Sequence, residues 1–512
     1  FNKKLNNSKI NTKKGLILII LNIILYFATL LILLLNRNSI YSPYNLYFKV
    51  HEPNLTVDRI GLATAIKLDI KRYIFGFESN VIVNKEKTNK DKKDKEDIKY
   101  NISNIDFTSL ASKESNSTIN SMHEYFNNVT PTKQNKYTGL FKGKNLIFIL
   151  AEGFNSLAVD KDLTPTMYKL THEGFIFDNF YSPVFLSTTG GEFQSMTGLI
   201  PNQTILNSWK VGKVSFPYAI GNTLSKEGYL SKAFHNWSYK YYSRNVTMTT
   251  LGFKDFFACG NGLQKLMNCN IWPPSDIEMF NVTPQYYINS EIPFVIDYIT
   301  VSGHARYSFS GNNMATKNKS LVQNLPYSES IKAYLATQIE LDKGLKVLLD
   351  TLEESNKLKD TVIVMVGDHY PYSLTVDEIN EKSEFTRDGL FEVNRSNLIL
   401  WNSELKEVKI DKVGGSIDIL PTLLNLFGIE YDSRLIIGKD LLSDTDGLVM
   451  FSNRSWVSDY GRYNASTKEF TTSTKKKLSI DYVDTINNKV YNNFSMSELI
   501  VQKNYYNLIF NK

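Results

Sequence analysis

Two short apolar runs, each closed by charged residues, constrain this chain more than any other feature. The run Asn145-Leu146-Ile147-Phe148-Ile149-Leu150-Ala151 delivers Glu152. The run Thr361-Val362-Ile363-Val364-Met365-Val366-Gly367 delivers Asp368 and His369. The second run is β-branched and closed by glycine, and both read as strands buried on two faces of a parallel sheet. Open α/β sheets place their sites beyond the carboxyl ends of such strands. A carboxylate from one strand and a carboxylate-imidazole pair from another predict one shared site. Hard and borderline ligands of this kind suit a divalent metal.

Further apolar runs at 229–234, 293–301 and 397–401 alternate with helical patterns such as 329–352 and 416–427. That alternation predicts an α/β domain with a mixed or mainly parallel central sheet covered by helices. Its expected extent is 137–512, with a small β-rich subregion over 443–512 that includes Ser479-Ile480-Asp481-Tyr482-Val483 as a strand-like piece.

Between the two ligand-bearing strands lies Leu186-Ser187-Thr188-Thr189-Gly190-Gly191-Glu192-Phe193. A threonine hydroxyl in a glycine-containing turn suits attack on phosphorus, provided a metal or a base activates it. Both Thr188 and Thr189 are candidates. His235, Tyr242 and Arg244 lie close together in a polar, aromatic stretch, and His304 follows the apolar run that ends at Val301. Arginine and histidine can donate to phosphate oxygens, and an imidazole at a strand end suits proton transfer. The neighbouring Tyr239 and Tyr241 read as core packing.

The order strand-Glu152, hydroxyl turn, strand-Asp368-His369 resembles the alkaline-phosphatase/sulfatase superfamily. Within it, the chain resembles the lipoteichoic acid synthase family of phosphoglycerol transferases over roughly 140–445. The likeness rests on Ala151-Glu152-Gly153, the Thr188 to Glu192-Phe193 spacing, Val301-Ser302-Gly303-His304, Gly367-Asp368-His369-Tyr370 and Ser416-Ile417-Asp418-Ile419-Leu420-Pro421-Thr422. It implies a metal held by Glu152, Thr188, Asp368 and His369, with manganese expected and magnesium or zinc as alternatives. It selects Thr188 as the nucleophile, forming a phosphothreonine-type intermediate, although the residues between Thr188 and Glu192 differ from the best-known members. It places substrate on His235, Tyr242, Arg244 and His304, with Tyr242 where the family often has tryptophan. Asp418 reads as a helix cap. The implied reaction moves glycerol phosphate from phosphatidylglycerol to a lipoteichoic-acid-type polymer or its glycolipid primer. The alternative is a phosphoethanolamine transferase, or a phosphodiesterase or sulfatase-like hydrolase, on the same core. The Cys- or Ser-based pattern with Pro and Arg that a formylglycine sulfatase needs is missing from the sequence.

The segment Gly15 to Leu35 is almost purely aliphatic and long enough to cross a bilayer, roughly 30 Å at 1.5 Å per residue. Lys3, Lys4, Lys9, Lys13 and Lys14 precede it, so the positive-inside rule puts residues 1–38 down as a cytoplasmic flank and span. The rest is then extracellular, in a bacterial cell membrane. Phe1 in place of Met, together with the resemblance, makes this span the last of several. Residues 39–83 read as a juxtamembrane helical segment, amphipathic over 57–72, suited to packing on protein or lying on the membrane. Residues 84–136 open with a long charge-alternating run and read as a polar linker. Cys259 and Cys269 are expected either to bridge locally or to remain two thiols. A net charge of +6 gives no nucleic-acid footprint, and no zinc-finger spacing, Walker loop or Rossmann fingerprint is present.

Overall fold

The computed structural model describes residues 12–34, 40–75 and 98–510. The chain forms two compact units, one comprising the segment up to Ile82 with Leu478–Tyr491, the other the remainder.

The larger unit is built on β1 (Asn145–Ala151), β2 (Phe175–Phe177), β3 (Phe180–Tyr181), β4 (Leu230–Ser238), β5 (Asp255–Cys259), β6 (Phe294–Ile299), β7 (Thr361–Gly367), β8 (Leu398–Trp401), β9 (Val408–Ile410) and β10 (Gly414–Gly415). Eight of these form one sheet in the order β5-β4-β6-β1-β7-β8-β2-β9, while β3 and β10 pair separately. Strands β5 to β7 in that order run parallel, and β8 turns antiparallel to β7 and β2. The five apolar runs read from the sequence are therefore neighbours, β4-β6-β1-β7-β8.

Strands β1 and β7 are buried along their whole length. That explains their unbroken apolar character: neither face ever meets water. Ile147, Ile149, Ile363 and Met365 share a core with Ile331, Tyr334, Leu335 and Ile339 of the helix Glu329–Glu354. Pairing of β1 with β7 runs in register from Asn145↔Thr361 to Ala151↔Gly367. Glu152 and Asp368 are the next residues along, so register alone brings them out side by side.

Two expectations are corrected. Of the segment 84–136 expected as a linker, residues 84–97 lie outside the described ones, but 98–136 is folded structure. Helices Phe107–Lys113 and Ser117–Asn128 are N-capped by the side chains of Asp106 and Asn116. Phe107, Met122 and Phe126 are buried, and Phe126 packs on Tyr505 with ring centroids 5.3 Å apart. The charge run ends at Asp97; beyond it, Ile119, Met122 and Phe126 recur at helical spacing. Reading both stretches as one composition concealed that pattern.

In the C-terminal subregion, β11 (Leu448–Met450), β12 (Trp456–Ser458), β13 (Gly461–Asn464) and β14 (Glu469–Thr472) form an antiparallel sheet. The expected strand 479–483 is not one: Tyr482 and Val483 start the helix Tyr482–Gln502. Four alternating residues, Ser479 to Tyr482, mimicked a strand, whereas Val483, Ile486, Val490 and Phe494 carry the longer helical period. Cys259 and Cys269 are joined as a disulfide.

The smaller unit contains the apolar helix Thr12–Leu34 and helices Pro43–Phe48, Pro53–Ile60 and Leu62–Phe75. Proline at the first turn opens two of these, and Gly61, at φ +85°, breaks the chain between the last two.

Candidate active site

At the carboxyl edge of the sheet, Glu152, Asp368 and His369 offer ligand atoms that all lie within 4.8 Å of one another, and all three side chains are buried. Asp368 Oδ1 accepts from the Gly153 and His369 amides, each at 2.9 Å. Gly153 makes this turn at φ +62°, where a β-carbon would also meet the Tyr307 hydroxyl at 2.8 Å. His369 Nδ1 lies 2.9 Å from the Tyr370 carbonyl. A carbonyl only accepts, so Nδ1 carries a proton and Nε2 is the ring atom turned toward the carboxylates.

That leaves an electrostatic mismatch. Asp368 Oδ2 and His369 Nε2 face each other at 3.1 Å, and both are buried without a hydrogen-bond partner. Glu152 Oε1 lies 3.6 Å from the same nitrogen. Burial, and then the charge of Asp368, push the Glu152 carboxyl well above the usual carboxylate range. Carboxylate oxygens and an imidazole nitrogen converging in a buried site suit a cation, so the residues present fit a divalent metal.

Thr188 joins this cluster, its Oγ1 donating to Glu152 Oε2 at 3.3 Å. It sits in the first turn of the helix Ser187–Thr197, entered through two consecutive left-handed residues, Leu186 and Ser187. Backbone of that kind costs about 1–3 kcal/mol per residue and tends to collect at functional sites. The glycine pair after the threonines has a packing reason. A β-carbon on Gly191 would lie 2.1 Å from the Asp368 carbonyl oxygen, so only glycine lets the helix approach the end of β7 so closely. Thr189 is also buried; no Thr189–Glu152 hydrogen bond matches that of Thr188.

A cleft beside the cluster is lined by Glu152, Thr188, His235, Tyr242, Arg244 and His304, joined by Trp237, Tyr241 and Trp272. All the substrate residues expected from sequence thus border one cavity. Two of them are engaged by protein partners. Arg244 donates through Nε to Glu192 at 3.0 Å and pairs with it through Nη2 at 2.9 Å, and both side chains are 1% exposed. Its Nη1 donates to His235 Nε2 at 3.1 Å, while His235 Nδ1 donates to the Ile299 carbonyl at 2.9 Å. Burial, then the Arg244 charge, depress the His235 pKa well below the usual imidazole value. His235 is therefore neutral and its Nε2 an acceptor, so it orients Arg244 instead of donating to an anion itself. His304 Nδ1 donates to the Ala305 carbonyl at 2.6 Å, and Trp272 packs against the ring at 4.8 Å. That leaves Nε2 as its remaining proton-transfer atom.

Neither tyrosine is a core residue: Tyr241 lines the cleft, and Tyr239 is half-buried, stacked on Phe256. Tyr242 and Ser243, again both left-handed, reverse the chain there. Sequence reasoning also missed the Glu192 partnership and two buried acids below the cleft. Asp297, in the middle of β6, has neither carboxyl oxygen hydrogen-bonded. Burial, and then the Glu192 charge, push its carboxyl well above the usual carboxylate range. Asp276 accepts from the Val301 and Ser302 amides, the Ser302 hydroxyl and Asn236, and burial still lifts it to about 6. It ties the turn before His304 to the strand of His235. An aspartate inside an apolar run was the visible signal for Asp297. Asp418 precedes the helix Ile419–Leu426 without capping it through its side chain, which accepts instead from the Gly415 and Lys439 amides.

A mixed α/β sheet with this carboxylate-imidazole cluster and hydroxyl-bearing helix at its carboxyl edge defines the alkaline-phosphatase superfamily. The chain belongs to the sulfatase family, whose model matches residues 144–429, more than half of it. It is 26% identical to lipoteichoic acid synthase 2 of Bacillus subtilis over 404 residues, covering 75% of this chain and 60% of the relative. It is 27% identical to the lipoteichoic acid synthase of Staphylococcus saprophyticus over 350 residues, 65% of this chain and 53% of the relative. The chain thus spans little more than half the length of these relatives. Among solved structures, the lipoteichoic acid synthase LtaP from Listeria monocytogenes superposes with a TM-score of 0.59 at 24% identity, covering 76% of this chain and 96% of that one. An alkaline phosphatase superfamily protein from Vibrio parahaemolyticus gives a TM-score of 0.55 at 17% identity, covering 78% and 96%.

Proposed function

We propose that this protein is a membrane-anchored phosphoglycerol transferase working through Thr188. One observation carries the reading: the Thr188 hydroxyl points at a buried, unsatisfied ligand cluster and opens onto a cleft holding an arginine and a histidine. The relatives named lipoteichoic acid synthases support glycerol phosphate as the group moved, from phosphatidylglycerol to a glycerol-phosphate polymer or glycolipid primer. The apolar helix, and a disulfide of the kind oxidising compartments keep, support an extracellular site at a bacterial membrane.

Glu152, Thr188, Asp368 and His369 would hold the metal; manganese is our assignment, with magnesium and zinc as competitors. Such an ion supplies charge neutralisation at phosphoryl oxygens and a lower pKa for a bound hydroxyl. In the first half-reaction, Thr188 Oγ1 forms a bond to phosphorus and the bond to the diacylglycerol oxygen breaks. The threonine proton ends, in net terms, on the released diacylglycerol, with His304 Nε2 as its donor. In the second half, the acceptor oxygen forms a bond to phosphorus, the phosphorus–Oγ1 bond breaks, and the acceptor's proton passes through His304 Nε2 to Thr188 Oγ1. Arg244, oriented by Glu192 and His235, meets the non-bridging oxygens with its remaining N–H groups, and Tyr242 covers the glycerol.

Mass analysis of purified protein incubated with phosphatidylglycerol tests this reading. A glycerol-phosphate adduct on the Thr188 peptide is expected. An adduct formed only from phosphatidylethanolamine would move the assignment to the phosphoethanolamine transferases, and lipid cleavage without an adduct to the hydrolases.

Arg244→Lys is expected to slow transfer at least about tenfold with metal affinity unchanged, because one ammonium cannot reproduce a planar fork. It should also lower thermal stability. Disrupting a buried ion pair costs about 3–5 kcal/mol, and lysine cannot reach Glu192 and His235 together. Wild-type kinetics in this variant would remove Arg244 from the substrate pocket.

A further inference from the structure

The helix Leu62–Phe75 has three distinct faces. Ala65, Leu68 and Arg72 are buried, and Arg72 ties the helix down by donating to the Leu46 and Val50 carbonyls at 2.9 and 3.0 Å. Lys67 and Lys71 form a basic edge. Leu62, Ile66, Ile70, Tyr73 and Ile74 form a continuous third face, following one another at helical spacing, and are 51–93% exposed. A helix that already packs with one face has no folding reason to carry a second apolar stripe, and soluble surfaces seldom expose one of this size.

We infer that this third face is a membrane-interface surface, whose occupant is the outer-leaflet boundary of an anionic bilayer. The inference rests on reading Gly15–Leu34 as a membrane span. Three observations favour lipid over protein. The helix adjoins that span at its basic edge, where Lys67 Nζ lies 5.4 Å from the ring of Tyr26 on the apolar helix. Between the two helices, Tyr44, Tyr47 and Phe48 cluster with ring centroids 4.6–5.0 Å apart, as aromatic residues do at headgroup level. Lys49, over the Tyr44 ring, joins Lys67 and Lys71 in a set of cations suited to lipid phosphates.

The test uses the full chain in vesicles of phosphatidylglycerol and phosphatidylcholine. Both native cysteines are in the disulfide, so Ile66→Cys, Tyr73→Cys, Lys71→Cys and Leu25→Cys each give a single site for a fluorophore. Nitroxide lipids labelled near the headgroup should quench positions 66 and 73 at least about threefold more than position 71, with aqueous iodide showing the reverse order. Equal iodide quenching at 66, 73 and 71 would overturn the inference, as would protection at 66 and 73 from both quenchers, which means a protein partner covers the stripe. The Leu25 probe separates the two readings. Iodide quenching there overturns the span and the inference with it, whereas lipid protection at 25 with iodide access at 66 and 73 overturns the interface helix alone.

Discussion

Thr188→Ala is expected to abolish transfer, lowering turnover by on the order of a thousandfold or more, without unfolding the protein. The side chain is small and makes one long hydrogen bond, to Glu152 at 3.3 Å. Its loss should therefore cost no more than about 1 kcal/mol of stability. If Thr188 is the nucleophile, the glycerol-phosphate adduct disappears together with turnover. Thr189→Ala is expected to keep substantial activity, since the neighbouring hydroxyl makes no equivalent bond to the cluster. Steady-state rates with phosphatidylglycerol, read beside adduct mass, decide the matter. The opposite pattern moves the assignment by one residue, and normal rates in both variants remove covalent threonine catalysis.

Asp368→Asn separates metal binding from packing more sharply than an alanine variant can. The asparagine oxygen can keep the bonds that Asp368 Oδ1 accepts from Gly153 and His369. Its amide replaces Oδ2 and becomes a donor 3.1 Å from the orphaned His369 Nε2. The metal-free variant should therefore gain roughly 1 kcal/mol of stability, one satisfied buried hydrogen bond, while losing metal binding. At a hundredfold excess over Kd, a metal stabilises the native protein by about 2.7 kcal/mol. Thermal unfolding with and without manganese should show that rise in the wild type and none in Asp368→Asn. A variant stabilised by manganese as strongly as the wild type would show that Asp368 is not a ligand. Activity of a Glu152→Ala/Asp368→Ala double variant at wild-type level would discard the cluster altogether.

Legibility along the chain followed the length of the signal. The catalytic sheet was readable because strands buried on both faces must be apolar throughout, and a charged residue at such a strand's end stands out. The helices at 107–128 were hidden, because their few buried positions lie beside a charged run that dominates local composition. The strand expected at 479–483 failed for the converse reason, since four alternating residues suffice to imitate a period of two. Tyr241 was misplaced because consecutive left-handed residues at 242 and 243, neither of them glycine, leave no mark in the sequence.

The sequence by itself determined which residues could bear the chemistry: Glu152, Asp368 and His369 at strand ends, a threonine turn between them, and an apolar helix long enough to cross a bilayer. Each follows from local physics, because burial demands apolar runs and strand ends are where polar groups can emerge. Only the tertiary structure decided how those residues share charge. Register between β1 and β7 put two carboxylates beside one imidazole. Folding also buried Arg244 against Glu192 and a neutral His235, turning two expected anion donors into one oriented arginine and its support. Protonation and partnership depend on distance and desolvation between segments far apart in the chain. Those quantities come into being only when the chain has closed around them.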